Sequence, residues 1–127
     1  DVKTGATNWV NEINSNLTPI ISNNLLFTVS NNGFLYVIDK NKGNVLRITD
    51  LYVNYKIKKR KNIEPIGFAI GKSNLYLTNS DGKLIIVDLS LGNVIRIEKV
   101  SGDHVSEPFI SSKNLFIIRN GSIDQYN

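Results

Sequence analysis

Apolar residues in this chain come in short runs, broken at close intervals by Asn, Asp, Ser and Gly. The longest uninterrupted run is five residues, Phe34 to Ile38, whereas a membrane-spanning helix takes about 20. Runs such as Leu84-Ile85-Ile86-Val87 are β-branched or aliphatic on both faces, which suits strands buried between other layers. One block then recurs. Leu26 to Asp39 reappears as Leu75 to Asp88, and each copy continues to a glycine four residues after its aspartate, Gly43 and Gly92. The offset is 49 residues throughout. A shorter third copy, Leu115 to Gly121, closes the chain, and Asp1 to Gly5 followed by Trp9 reads as the tail of another. Pro19, Pro65 and Pro108 open successive units.

Within one unit the pattern predicts four antiparallel strands. The second strand runs into Asn32-Gly33, Asp81-Gly82 or Asn120-Gly121, dipeptides that favour two-residue type I′ hairpins. The third strand ends at Asp39 or Asp88. There the carboxylate bonds backbone amides ahead of it, and the glycine four residues on takes the left-handed position. Units of this kind cannot bury both faces alone and must stack. Repeats of roughly 40–50 residues built from four strands indicate a β-propeller.

The expected organisation is a single propeller domain over 1–127: residues 1–16 as the tail of a preceding blade, 17–62 as a blade, 63–104 as a blade and 105–127 as a partial last blade. Residues 50–62 are expected to form an insertion. The last unit is short of a fourth strand, and an expected strand over Asn8 to Asn14 could fill that place. The apolar end faces lead to an expectation of self-association. The chain holds no Met and is expected to be a processed product or a piece of a longer protein.

Composition changes this picture in three respects. Asn, Ile and Lys are abundant (18, 17 and 11 residues) while Ala appears only at Ala6 and Ala69, which disfavours long helices. The absence of Cys removes disulfides, thiolate zinc sites and cysteine nucleophiles. The net charge of +4 is concentrated in Lys56, Lys58, Lys59, Arg60 and Lys61, and the remainder of the chain is close to neutral. These five residues are the candidate contact for a partner or an anionic surface. Without interleaved aromatic residues they do not form a nucleic-acid platform. As a loop they also read simply as a solvated charge run.

The stretch Asp1-x-x-Thr4-Gly5-x-x-x-Trp9 resembles the blade signature of the quinoprotein-type (PQQ-like) propeller repeats; the tryptophan position reads Arg47 and Arg96 in the later copies. Ser106 to Ile110, the strand at Leu115 to Ile117 and Asn120 to Ile123 resemble the C-terminal blade of the BamB family, propeller lipoproteins of the outer-membrane β-barrel assembly machinery. The resemblance implies an all-β propeller fragment of about three four-stranded antiparallel blades. It further implies a non-enzymatic, periplasmic scaffold associated with the outer membrane. Its partners would be an assembly subunit or barrel precursors, with peripheral membrane association, no nucleic acid and no cofactor. Two alternatives remain: a fragment of a PQQ-dependent dehydrogenase, and an interaction module of unknown partner.

Enzymatic members of the superfamily hold quinone and calcium with a carboxylate, an amide, a catalytic aspartate and a stacking aromatic. No such constellation is legible here. Asp39 and Asp88 occupy turns that each blade needs. Trp9 is expected on a blade strand, packing between sheets. His104, the only histidine, has no nucleophile or second ligand beside it, and Ser111-Ser112 lies in no nucleophile motif.

Overall fold

The computed structural model describes residue 7 and residues 9–100, 105–119 and 122–126. Three antiparallel sheets follow one another along the chain. The first contains β1 (Ile20–Ser22), β2 (Leu25–Val29), β3 (Phe34–Asp39) and β4 (Val45–Asp50), in that order. A short helix, α1 (Ile57–Arg60), precedes the second sheet of β5 (Pro65–Ile70), β6 (Asn74–Asn79), β7 (Lys83–Asp88) and β8 (Asn93–Lys99). The third has three strands, β9 (Phe109–Ser111), β10 (Asn114–Arg119) and β11 (Ser122–Tyr126).

Strand alternation sends the apolar residues of the second sheet in two directions. Leu75, Leu77, Ile85 and Val87 pack with Phe27, Val29, Leu35 and Val37 of the first sheet. Leu84 and Ile86 pack with Leu115 and Ile117 of the third. All four residues from Leu84 to Val87 are therefore buried, as expected of a sandwiched strand. Each such side chain contributes about 1.5–3 kcal/mol.

The hairpins at Gly33 and Gly82 differ from the expected type. Ser30 O accepts from Gly33 N at 3.0 Å and Ser30 N donates to Phe34 O at 2.8 Å. Only the glycine has a positive φ, +88° at Gly33 and +78° at Gly82. These are three-residue loops, a type I turn followed by a left-handed bulge residue. One extra residue, Asn31 or Ser80, precedes the Asn-Gly or Asp-Gly pair and leaves a single left-handed position to fill. The turn at Asn120-Gly121 lies outside the described residues.

A pair of positive φ angles occurs instead at Ser112 (50°) and Lys113 (69°), between the paired residues Ser111 and Asn114. Neither residue favours that conformation. Replacing Ser112 by Asn together with Lys113 by Gly is therefore expected to stabilise the chain by about 1 kcal/mol. A thermal melt should show a midpoint raised by a few degrees; an unchanged or lowered midpoint would contradict the assignment.

The Asp-x-x-x-Gly turns form as expected. Asp39 Oδ1 accepts from the amides of Asn41 at 2.9 Å and Lys42 at 2.8 Å, and Asp88 Oδ1 from Leu91 at 2.9 Å. Gly43 and Gly92 take φ of +80° and +75°. Residues 9–14 form no strand. They lie instead against the first sheet, where Asn14 O accepts from Asn31 N at 2.8 Å and Ser15 Oγ donates to Val29 O at 2.5 Å. Their polar side chains bond the turns of that sheet, so this segment is not the missing strand of the third.

Candidate functional site

The connection between the first two sheets carries the basic cluster, but its first residues are not a solvated loop. Leu51 N donates to Gly33 O at 2.9 Å, and the chain then turns inward. Leu51 and Tyr52 are completely buried. Tyr52 Oη donates to Asn79 Oδ1 at 2.6 Å, while Asn79 Nδ2 donates to Leu77 O at 3.2 Å and Lys83 O at 3.1 Å. The buried amide thus uses its acceptor and its donor, and the phenol ties the connection to the second sheet. Burial holds the Tyr52 phenol well above its ordinary pKa, with Tyr55 and Asp81 adding to the shift. The Tyr52 ring also lies against Gly33, where a Cβ would overlap it. Sequence reasoning missed this wedge. Its signal was an apolar-aromatic pair directly after β4, with an asparagine in the second repeat where the first has Ser30.

Beyond the wedge, α1 divides the five basic residues. Arg60 forms a two-pronged ion pair with Asp50, Nη1 to Oδ2 at 2.9 Å and Nη2 to Oδ1 at 2.7 Å. It also lies 5.9 Å from the centre of the Phe34 ring. Its charge is thus spent inside the fold. Lys61 sits with Ile57 on the Asn32 and Phe34 side, and Lys58 is exposed. Lys56 and Lys59 lie on the opposite side, beside Tyr55 and Lys83.

The opposite end of the sheets holds a second arrangement, which repeats. Trp9 Nε1 donates to Lys40 O at 2.7 Å and the indole covers Gly43. One repeat later, Arg47 Nη1 donates to Leu89 O at 2.9 Å and the guanidinium covers Gly92. Lys40 and Leu89 are equivalent positions, as are Gly43 and Gly92. Two residues after each docking side chain, Asn11 donates to Gly43 O and Thr49 Oγ1 to Gly92 O at 3.0 Å. Arginine therefore does in the second joint what tryptophan does in the first. The register shift between Val37 and Ile38, mirrored between Ile86 and Val87, places an extra residue, Leu46 or Ile95, just before Arg47 and Arg96. Trp9 is accordingly a docking residue on a turn and not part of a strand.

Three antiparallel sheets stacked in chain order, two of four strands and one of three, with β4 docked through Arg47 on the turn between β7 and β8, decide the architecture. The fold is a β-propeller arc. Propellers of known structure agree. BamB from Moraxella catarrhalis superimposes over 98% of this chain with a TM-score of 0.69 at 16% identity. The quinohemoprotein alcohol dehydrogenase ADHIIG from Pseudomonas putida HK5 does so over 84% with 0.63 at 17%. The Cps50 (Swd1) propeller domain of Myceliophteria thermophila covers 74% with 0.61 at 11%. The arc spans 36% of the BamB chain and 17% of the dehydrogenase. The sequence matches no protein-family model and no curated protein.

A quinone and calcium site, as the resemblance to enzymatic PQQ-like propellers implies, would need carboxylates free to ligate. Asp39 and Asp88 are committed to turn amides, Asp50 to Arg60, Asp81 to Tyr55 Oη at 3.1 Å and Glu98 to Arg96 at 2.8 Å. Among the described residues no three His, Cys, Asp or Glu side chains converge. His104 lies outside the described residues.

Proposed function

We propose that this arc belongs to a non-enzymatic interaction propeller of the BamB kind, serving the assembly of outer-membrane β-barrels from the periplasmic side. The observation that carries the reading is the free edge of β4. This strand pairs only with β3, so one row of its backbone donors and acceptors is left for another strand. Leu46 and Ile48 are 53% and 55% exposed there, and Arg47, the charge between them, is drawn away to the Leu89 carbonyl. The corresponding edge of β8 exposes Ile95 to the same degree, 54%, but follows it with Arg96, Glu98 and Lys99, charges that favour solvent over a further strand. An extended segment of a barrel precursor or of an assembly subunit adds to β4 by main-chain pairing, with Leu46 and Ile48 supplying apolar contact.

The outward face of the third sheet serves the same reading. Phe109 stacks on Phe116 at 5.3 Å beside exposed Ile118 and Ile123. This face calls for a further sheet, which a second copy supplies when the chain stands alone.

The test is binding of an unfolded barrel precursor, followed by fluorescence anisotropy. The substitutions Leu46→Lys and Ile48→Lys place charges on the edge and should weaken binding at least tenfold, whereas Ile95→Lys on β8 should leave it unchanged. Calcium-dependent alcohol oxidation after addition of pyrroloquinoline quinone would overturn the scaffold reading in favour of a dehydrogenase.

A further inference from the structure

The division of the basic cluster by α1 brings Lys56 and Lys59 to residues far away in the sequence. Tyr55 lies between them and the second sheet. Its ring centre is 5.6 Å from Lys59 Nζ and 5.5 Å from Lys83 Nζ. Lys83 is paired across the ladder with Lys99, so two like charges stand opposite each other, an arrangement that costs stability. Tyr55, Lys56, Lys59 and Lys83 line, with Asn54 and Ile97, a cleft of about 390 Å³. One nearby carboxylate, Asp81, keeps its charge and acts favourably on Lys83, so three lysines face a single acid and the cleft stays net positive. Asp81 is engaged by Tyr55 Oη at 3.1 Å, and Glu98, turned to the other face of β8, is paired with Arg96.

We propose that the cleft formed by Tyr55, Lys56, Lys59 and Lys83 binds a phosphate monoester group. Several amines on one small concavity match a compact dianion with three acceptor oxygens. A carboxylate, planar and singly charged, is better served by the fork of an arginine; the one arginine of the cluster, Arg60, faces Asp50 instead. The Lys83 amine is already held below its ordinary pKa, first by its hydrogen bond to the Lys59 amine and then by desolvation. An anion between the two amines relieves that competition. The Tyr55 ring, fixed edge-on to the buried Tyr52 at 5.5 Å, keeps both lysines in place. The site lies at the end of the sheets opposite the docking turns and is independent of the β4 edge.

Inorganic phosphate titrated into the chain, followed by amide and lysine-amine NMR shifts, tests this. Saturable shifts are expected at Tyr55, Lys59 and Lys83, with the Lys83 amine titrating at higher pH when phosphate is bound. Lys83→Gln and Lys59→Gln should each weaken binding about tenfold, about 1.4 kcal/mol. Lys72→Gln, on the β5–β6 turn at the other end, should change it less than twofold. Vesicles of phosphatidylcholine with and without phosphatidate separate the sources. Recruitment to phosphatidate that inorganic phosphate displaces identifies a lipid headgroup, and its absence identifies a soluble phosphate ester. Non-saturable shifts, or an equal loss in Lys72→Gln, would overturn the proposal and leave only diffuse surface charge.

Discussion

Replacing Tyr52 with alanine is expected to destabilise the chain by about 4 kcal/mol, the scale for removing a buried aromatic ring. That is a large part of the 5–15 kcal/mol typical of a whole domain. The ring fills the space between Gly33 and the second sheet, and its hydroxyl is the donor that satisfies Asn79 Oδ1. Tyr52→Phe keeps the ring and removes only that donor, so roughly 1–3 kcal/mol should be lost. Serine at Lys56, Lys58, Lys59 and Lys61 should cost no more than about 0.5 kcal/mol each. Urea titrations with unchanged slope would establish the order. A loss at Tyr52→Ala no larger than that of the lysine substitutions would mean the connection is not wedged between the sheets. Burial also sets an alkaline limit. Above the ordinary phenol value of about 10 the unfolded chain ionises at Tyr52 and the folded chain resists, so stability falls as pH rises further.

The two docking joints are expected to respond differently to the same substitution. Gly43→Ala places a methyl group against the Trp9 indole at a backbone φ of +80°. A loss of about 2–3 kcal/mol follows, from strain and from displacement of the ring. At Gly92 the new Cβ meets Arg47 Cδ at 2.8 Å and Nη1 at 2.7 Å, atoms of a flexible side chain that can move aside. About 1 kcal/mol should be lost there, mostly backbone strain. A double-mutant cycle adding Trp9→Ala to Gly43→Ala should show coupling above 0.5 kcal/mol, by the usual scale for contacting residues. Strict additivity would remove the contact from the account of the joint.

The sheet count, the sandwiched β7 and the Asp-x-x-x-Gly turns were legible because each follows from local chemistry repeated at a fixed offset. The hairpin type at Gly33 was not, because Asn31 adds a residue that a dipeptide rule ignores. The Leu51-Tyr52 wedge was hidden by its neighbours: a basic hexapeptide just downstream made the whole connection read as solvated. Arg60 was grouped with the lysines by sequence proximity, while its partner Asp50 lies ten residues back and faces it only once α1 has formed. Lys83 could not be placed in the candidate site from sequence, since only the stacking of the sheets brings it to Tyr55. The equivalence of Arg47 with Trp9 was visible as a position. Its chemistry was not, because nothing in the residue types says that a guanidinium and an indole donate to the same carbonyl.

The indole that covers Gly43 belongs to the only tryptophan in the chain. The molecule therefore carries one optical reporter, and it is seated at a single joint. Excited at the red edge of its absorption, where the tyrosines are silent, it reports whether residues 9–17 rest on the first sheet. A shift of its emission to longer wavelength while the far-ultraviolet signal of the sheets persists would register the release of that segment alone. The first joint can thus be timed separately from the rest of the fold, without a label and without an added substitution.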